Sequence, residues 1–326
     1  MSFKEILGQE KAVFLLKSAV RQNRVSHAYL FVGPAGVGKS AAALNFARLL
    51  FCESVSAGDV EPCDECPSCR KAAAGSHPDI QVLSPDGAFT RIDAVREACR
   101  RLSLKGFESM RKALIVSEAG TLNEESSNAL LKTLEEPSAG TVIILLADSL
   151  KSVLPTIASR CQRIVFSPLK DAVLQAILLE RYGMGREEAR YLARLSEGCM
   201  EKALKFHKEE IFKKRDAFLE GFLQGRMPVV EGKKAQEESF DTGLFLLAGW
   251  LRDLLVAKVN DEEKNFVNAD RKDDIMLAAR GLKPEEIDET LRSVADTAAD
   301  LRHNVNRRVA FARLNTELWK SLRKSD

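Results

Sequence analysis

Apolar residues in the first half of the chain occur in two alternating kinds of run. Short, nearly continuous apolar runs bounded by Gly, Pro, Asp or Ser predict five β-strands, over residues 27–32, 80–84, 113–117, 141–147 and 163–166. Helical spacing between these runs predicts helices over residues 10–21, 39–51, 92–104 and 124–134. Continuous apolar strands are typical of parallel sheets covered on both faces. The alternation therefore predicts a doubly wound α/β domain over residues 1–167.

Beyond Pro168 the pattern is helical. Residues 168–208 predict a small helical domain of three short helices, broken at residues 183–185 and at Gly198. Residues 209–326 predict a further all-helical domain.

Within this last domain, residues 233–239 read as a polar linker, and Pro284 stands at a helix-start position. Residues 304–322 form an amphipathic stretch. The helix predicted over residues 240–259 has an apolar stripe, which consists of Phe240, Leu244, Leu247 and Leu251. Such stripes are more often internal core than interface, and both uses stay open here.

Composition narrows the class of protein. The chain has 326 residues, 45% hydrophobic and 29% charged, as in folded proteins of two or three domains. The net charge of +2 argues neither for nor against nucleic acid, because a local basic surface can exist within a neutral total. No window approaches 18 uncharged apolar residues, and the N-terminus lacks the layout of a signal peptide, so we expect a cytoplasmic protein with no membrane partner.

Residues 33–40, GPAGVGKS, fit the phosphate-binding loop pattern G-x-x-x-x-G-K-[ST] between a predicted strand and a predicted helix. In such a loop, glycines let backbone N–H groups converge on phosphate oxygens, the lysine reaches the β and γ phosphates, and the serine supplies a hydroxyl to Mg²⁺. The candidate nucleotide-binding residues are Gly33, Gly36, Gly38, Lys39 and Ser40. The alternative is a glycine-rich strand-to-helix turn without a ligand.

The strand that should carry the Mg²⁺-binding carboxylate of a nucleotide hydrolase, the Walker B strand, ends unusually. Its apolar run is followed by Ser117, where an aspartate is expected, and then by Glu118 at the position of a catalytic glutamate. An uncharged serine should weaken retention of a divalent cation. The sequence therefore predicts a site that can hold ATP or ADP with Mg²⁺ but cleaves ATP poorly, unless water or Glu118 compensates.

Four of the seven cysteines are clustered with the spacing C-x10-C-x2-C-x2-C, namely Cys52, Cys63, Cys66 and Cys69. Four soft ligands suit tetrahedral zinc, and clustered cysteines in a reducing compartment more often bind metal than form disulfides. A closed four-thiolate site leaves no open coordination position, so the zinc would be structural. The alternative is four free thiols in a mobile insertion.

The order of motifs resembles that of the bacterial clamp-loader family of DNA polymerase III, a family of AAA+ proteins. Residues 27–31 run into the phosphate loop, the cysteines follow, and His77-Pro78-Asp79 comes next. The most diagnostic parts are residues 128–137, NALLKTLEEP, and residues 159–161, SRC. The resemblance is strong over residues 1–208. It implies an AAA+ domain with a zinc module at about residues 52–69, a helical lid over 168–208, and a collar that joins subunits over 209–326.

Two departures from the motor subunits (gamma or tau) make the chain most similar to the delta-prime branch. The motor subunits normally carry Asp-Glu where this chain has Ser117-Glu118, and a lid arginine where this chain has Glu201. A carboxylate at the lid position would repel a γ-phosphate. The resemblance implies a rigid partner in a hetero-pentamer with gamma/tau and delta, which helps to load the sliding clamp onto primer-template DNA.

In that family the SRC arginine, here Arg160, is an arginine finger that acts on ATP bound to the neighbouring subunit; the alternative is an ordinary ion pair. Arg96, Arg100 and Arg101 on the helix over 92–104 would face the DNA backbone, or form a solvated basic face. Two other functions stay open: a motor ATPase of the gamma/tau type, and an AAA+ ATPase of another DNA process, such as a helicase motor or loader. Whether the chain has ATPase activity of its own is not decided by the sequence.

Overall fold

A computed structural model describes residues 2–55, 60–87, 89–223, 233–259 and 266–302, and in addition residues 310, 313, 314 and 316. Contacts divide the chain into two compact units. The first contains residues 1–173 and 198–201, and the second contains residues 174–197 and 202–326. The predicted domain boundaries after residues 167 and 208 stay predictions.

The first unit is built on five parallel strands. The strands are β1 (Ala28–Val32), β2 (Ile80–Leu83), β3 (Lys112–Val116), β4 (Thr141–Ala147) and β5 (Gln162–Val165). Their spatial order is β2-β3-β4-β1-β5, and each pair of neighbouring strands is parallel. All residues of β3 and β4 are buried, as a sheet covered on both faces requires. The predicted doubly wound α/β fold is confirmed.

Within the described residues, six α-helices of the first unit lie before, between or after these strands. They are α1 (Glu10–Arg21), α2 (Lys39–Phe51), α3 (Pro67–Ala73), α4 (Ile92–Ser103), α5 (Glu124–Glu135) and α6 (Pro155–Ala158). The four long helices match their predicted ranges to within one residue. Side chains alternate between the two faces of the sheet: Tyr29 and Phe31 join one buried cluster with α1 and α2, while Ala28 and Leu30 join another with α4 and α5.

The remaining helices are α7 (Asp171–Tyr182), α8 (Arg186–Leu195), α9 (Met200–Lys208), α10 (Ile211–Leu223), α11 (Lys233–Val259), α12 (Lys272–Arg280) and α13 (Pro284–Arg302). The three short helices predicted before residue 209 are confirmed, and Pro284 begins α13. The linker predicted over residues 233–239 is wrong, because these residues form the first turns of α11. Lys, Ala, Gln and Glu all favour helix, so the polar character of this segment does not indicate a loop.

The second unit has its own apolar core around α11. Leu244, Leu247 and Leu251 of the predicted stripe are at most 3% exposed, which confirms their core role, while the side chain of Phe240 lies outside the described residues. Arg215 is buried here. It lies against the rings of Tyr191 and Phe212, and it pairs with two aspartates, Asp216 and Asp270.

Two further predictions concern residues 304–322 and the absence of a membrane-spanning helix. The amphipathic stretch predicted over residues 304–322 lies almost entirely outside the described residues. Among the helices that the structure describes, none combines the length and the apolar character needed to span a bilayer.

Candidate functional site

The phosphate loop joins the carboxyl end of β1 to the first turn of α2. Gly33 donates its N–H to the carbonyl of Ala147 at 3.1 Å, which fixes the start of the loop against β4. Gly36 and Gly38 have φ angles of +75° and +97°, which other residues adopt only with strain. Gly38 precedes α2, and Ser40 lies exposed in its first turn. The phosphate loop therefore lies between a strand and a helix, as predicted.

Lys39 is buried, and its ammonium group faces back into the loop. It donates to the carbonyl oxygens of Gly33 and Pro34, the latter at 2.8 Å, and to Oδ1 of Asp148 at 2.9 Å. Asp148 directly follows β4, the strand that pairs with β1 through Val32 and Ala147. The lysine thus lies where a phosphate-binding lysine is needed, with a carboxylate already bound to it.

A second carboxylate approaches the loop from the start of α9. Glu201 donates its backbone N–H to the carbonyl of Gly36 at 3.4 Å. A Cβ built on Gly36 would lie 3.0 Å from the Cβ of Glu201 and 3.5 Å from its Oε2. The residue at the lid position therefore contacts the phosphate loop and brings negative charge to it.

At the end of β3, Ser117 is turned away from the phosphate loop. Its hydroxyl lies 3.3 Å from the carbonyl of Leu83 and 3.1 Å from Oγ of Ser84, both on the side of β2. In the sheet, β2 and β4 flank β3 on opposite sides, and β4 separates β3 from β1. Glu118 follows and is exposed.

The four predicted cysteine ligands come together at the carboxyl end of α2. The sulfur atoms of Cys52, Cys63, Cys66 and Cys69 all lie within 4.8 Å of one another. The backbone N–H groups of Cys63, Cys66 and Cys69 donate to the sulfurs of Cys52, Cys63 and Cys66 respectively, each at 3.3 Å. The cysteines thus form a cluster that could hold a metal ion.

Electrostatics and donor type test whether this cluster fits a metal. Backbone N–H groups of Cys66 and Glu65 lower the pKa of Cys63 to about 7, so this thiol is readily ionised. Burial raises the pKa of Cys52 and Cys69, which disfavours these thiolates unless a cation neutralises them. Thiolates are the ligands that structural zinc sites use. The residues present therefore fit a soft metal ion.

Arg160 lies in the turn between α6 and β5, at the amino end of the sheet. Its guanidinium donates to the carbonyl of Thr156 at 2.9 Å and pairs with Oε1 of Glu135 at 2.6 Å. The arginine side chain is 38% exposed, so it is held in place while remaining accessible.

The strand register places Arg160 far from the phosphate loop of its own chain. β5 pairs with β1 so that Gln162 lies opposite Tyr29, while the loop begins at Gly33. The four residue steps from Tyr29 to Gly33 correspond to about 13 Å along the strands. Arg160 precedes Gln162 and is therefore still farther from the loop, at the amino ends of the strands.

Comparisons with known proteins show the family to which the chain belongs. A sequence profile of a family described as "DNA polymerase III, delta subunit" matches residues 8–170. The chain is 30% identical over 314 residues to DNA polymerase III subunit delta' of Bacillus subtilis (strain 168), which covers 91% of this chain and 92% of that protein. The chain belongs to the DNA polymerase III delta-prime family. A second delta' subunit, from Pseudomonas aeruginosa, is 34% identical over 231 residues, 70% of each chain.

The delta-prime family is a better match than the tau subunits over the length of the chain. DNA polymerase III subunit tau of Bacillus subtilis (strain 168) is 36% identical, but only over 173 residues, 53% of this chain and 30% of tau. The shared part is thus confined to about half of the chain.

The arginines of α4, which the resemblance to the clamp-loader family places toward DNA, are paired with carboxylates of the same helix. Glu97 accepts hydrogen bonds from Arg100 and Arg101 at 2.7–2.8 Å, and these bonds lower the pKa of Glu97 to about 2. Arg96 lies 3.9 Å from Asp93. The α4 surface is therefore less basic than its arginines alone suggest, and its DNA contact stays a prediction.

His77-Pro78-Asp79, part of the predicted resemblance to the clamp-loader family, has a structural role here. The buried carboxylate of Asp79 accepts the backbone N–H groups of Phe107, Glu108 and Ser109 at 2.7–3.0 Å. His77 is also buried, with Nδ1 accepting the N–H of Asp79 at 3.2 Å. Asp79 thus fixes the loop that leads into β3.

Three acidic residues outside the predicted site set contact the predicted cations. Asp148 binds Lys39, Glu135 binds Arg160, and Glu97 binds Arg100 and Arg101. Glu97 could have been found, because a carboxylate three or four residues from an arginine on a helix is a recognisable pair. The signal for Asp148 was a carboxylate directly after the six consecutive apolar residues that end β4.

Proposed function

We propose that the chain is a delta-prime-like subunit of the DNA polymerase III clamp loader, and that it helps to load the sliding clamp onto primed DNA. Membership of the delta-prime family over most of the chain supports this function. Its partners would be gamma/tau and delta subunits in a hetero-pentamer, the clamp, and primer-template DNA within the complex. Arg96, Arg100 and Arg101 would contribute backbone contacts to that DNA. Such a complex would act in the cytoplasm.

Within that complex, Arg160 would supply an arginine finger to ATP bound by the neighbouring subunit. The observation that carries this proposal is its position at the sheet edge opposite its own phosphate loop. A finger that acts in trans must be exposed and held in a fixed direction. Arg160 meets both needs, because Glu135 and Thr156 hold a guanidinium that remains partly open to solvent. A planar, permanently charged fork suits charge that develops on a transferred phosphoryl group.

The chain's own site would contribute little ATP hydrolysis. Gly33, Gly36, Gly38, Lys39 and Ser40 would hold ATP or ADP with Mg²⁺. The hydroxyl of Ser117 is engaged on the β2 side, and Glu118 is exposed, so the carboxylate expected at the end of β3 has no direct substitute there. This arrangement supports a subunit that responds to its partners rather than a motor.

The cysteine cluster would hold one structural zinc ion through Cys52, Cys63, Cys66 and Cys69. Support comes from the mutual approach of the four sulfurs and from the N–H groups directed at three of them. Zinc would fix the segment between α2 and α3, where few large apolar side chains are available.

The test is a clamp loader rebuilt with Arg160→Ala, Arg160→Lys or the matched control Arg163→Ala, an exposed arginine of β5. We expect clamp- and DNA-dependent ATP hydrolysis and loading rate to fall with Arg160→Ala and to be poorly restored by Arg160→Lys. Loss of a finger can reduce the rate at one site by about 10³–10⁵, and the whole complex should lose less because other sites remain. The isolated chain should hydrolyse ATP near background. Equal ATPase and loading rates for Arg160→Ala and wild type would remove the finger role.

A further inference from the structure

The ammonium group of Lys39 is saturated within the phosphate loop. A lysine has three N–H donors. Three acceptors surround it here: the carbonyls of Gly33 and Pro34, and the Asp148 carboxylate. The residue is only 7% exposed, so it is removed from most solvent contact. A phosphate oxygen can therefore reach the lysine only if one of these acceptors leaves.

Asp148 is the acceptor that can leave. The two carbonyls belong to the loop backbone, whereas the Asp148 side chain is 71% exposed and free to turn toward water. Its position is set by the fold, because β4 lies next to β1 and the residue after Ala147 lies beside the start of the phosphate loop. Its charge is the same sign as that of a nucleotide phosphate, so both groups seek the same cation.

We propose that the Asp148 carboxylate competes with nucleotide phosphate for Lys39, and thereby sets the nucleotide affinity of this chain. Without nucleotide, the pair keeps the buried ammonium neutralised, which a buried cation requires. With nucleotide, the phosphate must displace Asp148 and must also tolerate Glu201, whose carboxylate lies against Gly36. The proposal concerns the chain's own phosphate loop and does not depend on the role proposed for Arg160.

The test is equilibrium binding of fluorescent methylanthraniloyl-ADP to the full chain in Mg²⁺-free buffer. Chelator is omitted because it would also remove metal from the cysteine cluster. The variants are Asp148→Asn, the matched control Glu125→Gln on an exposed position of α5, and Lys39→Met in each background. Glu125→Gln changes the net charge by the same amount and so reports any general attraction of the anionic ligand.

We expect Asp148→Asn to bind the probe about fivefold to thirtyfold more tightly than wild type, as for loss of a charge-assisted hydrogen bond at a partly exposed pair. Glu125→Gln should bind as wild type does, and Lys39→Met should abolish the gain. Equal or weaker binding by Asp148→Asn would overturn the proposal. Absence of binding by wild type and Asp148→Asn alike would also overturn it, because removal of the competitor should then have exposed the lysine.

Discussion

Replacing Cys69 by serine tests the candidate metal centre most directly. Cys69 is fully buried at the start of α3, and its sulfur lies within 4.8 Å of the other three. A serine hydroxyl is a poor zinc ligand at neutral pH, because structural zinc prefers thiolate and imidazole donors. We expect wild-type protein purified without chelator to contain one zinc per chain, and Cys69→Ser to contain almost none.

The size of the structural effect follows from two opposing free energies. Tetrahedral zinc with Zn–S bonds of about 2.3 Å places the sulfurs about 3.8 Å apart, so the observed cluster needs only small shifts to bind. Binding contributes about 10–16 kcal/mol. Ordering the seven residues from Cys63 to Cys69 costs about 1–2 kcal/mol each, about 7–14 kcal/mol in all. The two nearly balance, so loss of metal should unfold this segment locally and leave the sheet folded.

Hydrogen exchange read by mass spectrometry can separate local from global unfolding. In Cys69→Ser, peptides covering residues 60–76 should lose protection, while peptides covering β4 should keep it. Elemental analysis of the same samples gives the zinc content. The matched control is Cys99→Ser, since Cys99 lies on α4 outside the cluster and its thiol contacts the carbonyl of Ala129, which a serine can also reach. Cys99→Ser should retain zinc and protection.

Two results would refute the reasoning about the cluster. Wild-type protein without metal, with four titratable thiols in this segment, would remove the zinc site. Full protection of residues 60–76 in a metal-free Cys69→Ser protein would show that apolar packing, not metal, orders the segment.

Two further predictions rest on single contacts. Glu135→Gln should reduce clamp-dependent ATP hydrolysis by the rebuilt complex, but less than Arg160→Ala does, because Thr156 still holds the arginine. Glu136→Gln is the matched control. Equal hydrolysis rates for the two glutamate variants would show that Glu135 does not position Arg160. Burial lowers the pKa of His77 below its ordinary 6.5, so the unfolded chain takes up this proton first and the free energy of unfolding should fall as the pH drops below 6.5. His77→Gln should flatten that part of the urea-denaturation profile, and an unchanged slope would contradict this assignment.

The first unit could be predicted from sequence because its strands are unusually explicit. β4 consists of Thr141 and six apolar residues, all of them buried, and is bounded by Gly140 and Asp148. Such a run has few alternatives to a central parallel strand. The bounds of α2 could be predicted equally well, because the phosphate loop precedes the helix and Cys52 follows it. The cysteine cluster could be predicted for a related reason, since the spacing of the four cysteines along the chain is itself the signal.

The first turns of α11 show where composition misleads. Residues 233–239 are mostly polar and follow a stretch without apolar periodicity, a pattern that predicts a linker. Polarity reports exposure, whereas helix formation depends on backbone propensity and on continuity with the apolar helix that follows.

Lys39 and Arg160 could be singled out from their motifs, whereas the carboxylates that pair with them could not, because these lie far away along the sequence. Asp148 lies 109 residues from Lys39, and the contact exists only because β4 is inserted beside β1 in the sheet. Glu135 reaches Arg160 because the end of α5 lies beside the turn that follows α6. A pattern in the sequence identifies the cation, while the sheet order decides which carboxylate neutralises it.

These pairings change what the predicted sites can do. An unpaired lysine in a phosphate loop would attract any nucleotide, whereas a lysine bound to Asp148 exchanges one anion for another and gains less. The exposed pair of Arg160 and Glu135 contributes little to stability, yet it restricts the directions of a long side chain before a neighbour arrives. Under the proposed function, a carboxylate on each of these cations would weaken nucleotide binding at the chain's own phosphate loop and hold Arg160 ready for the site of a neighbouring subunit. Both effects would suit a subunit that serves its neighbour's site rather than its own.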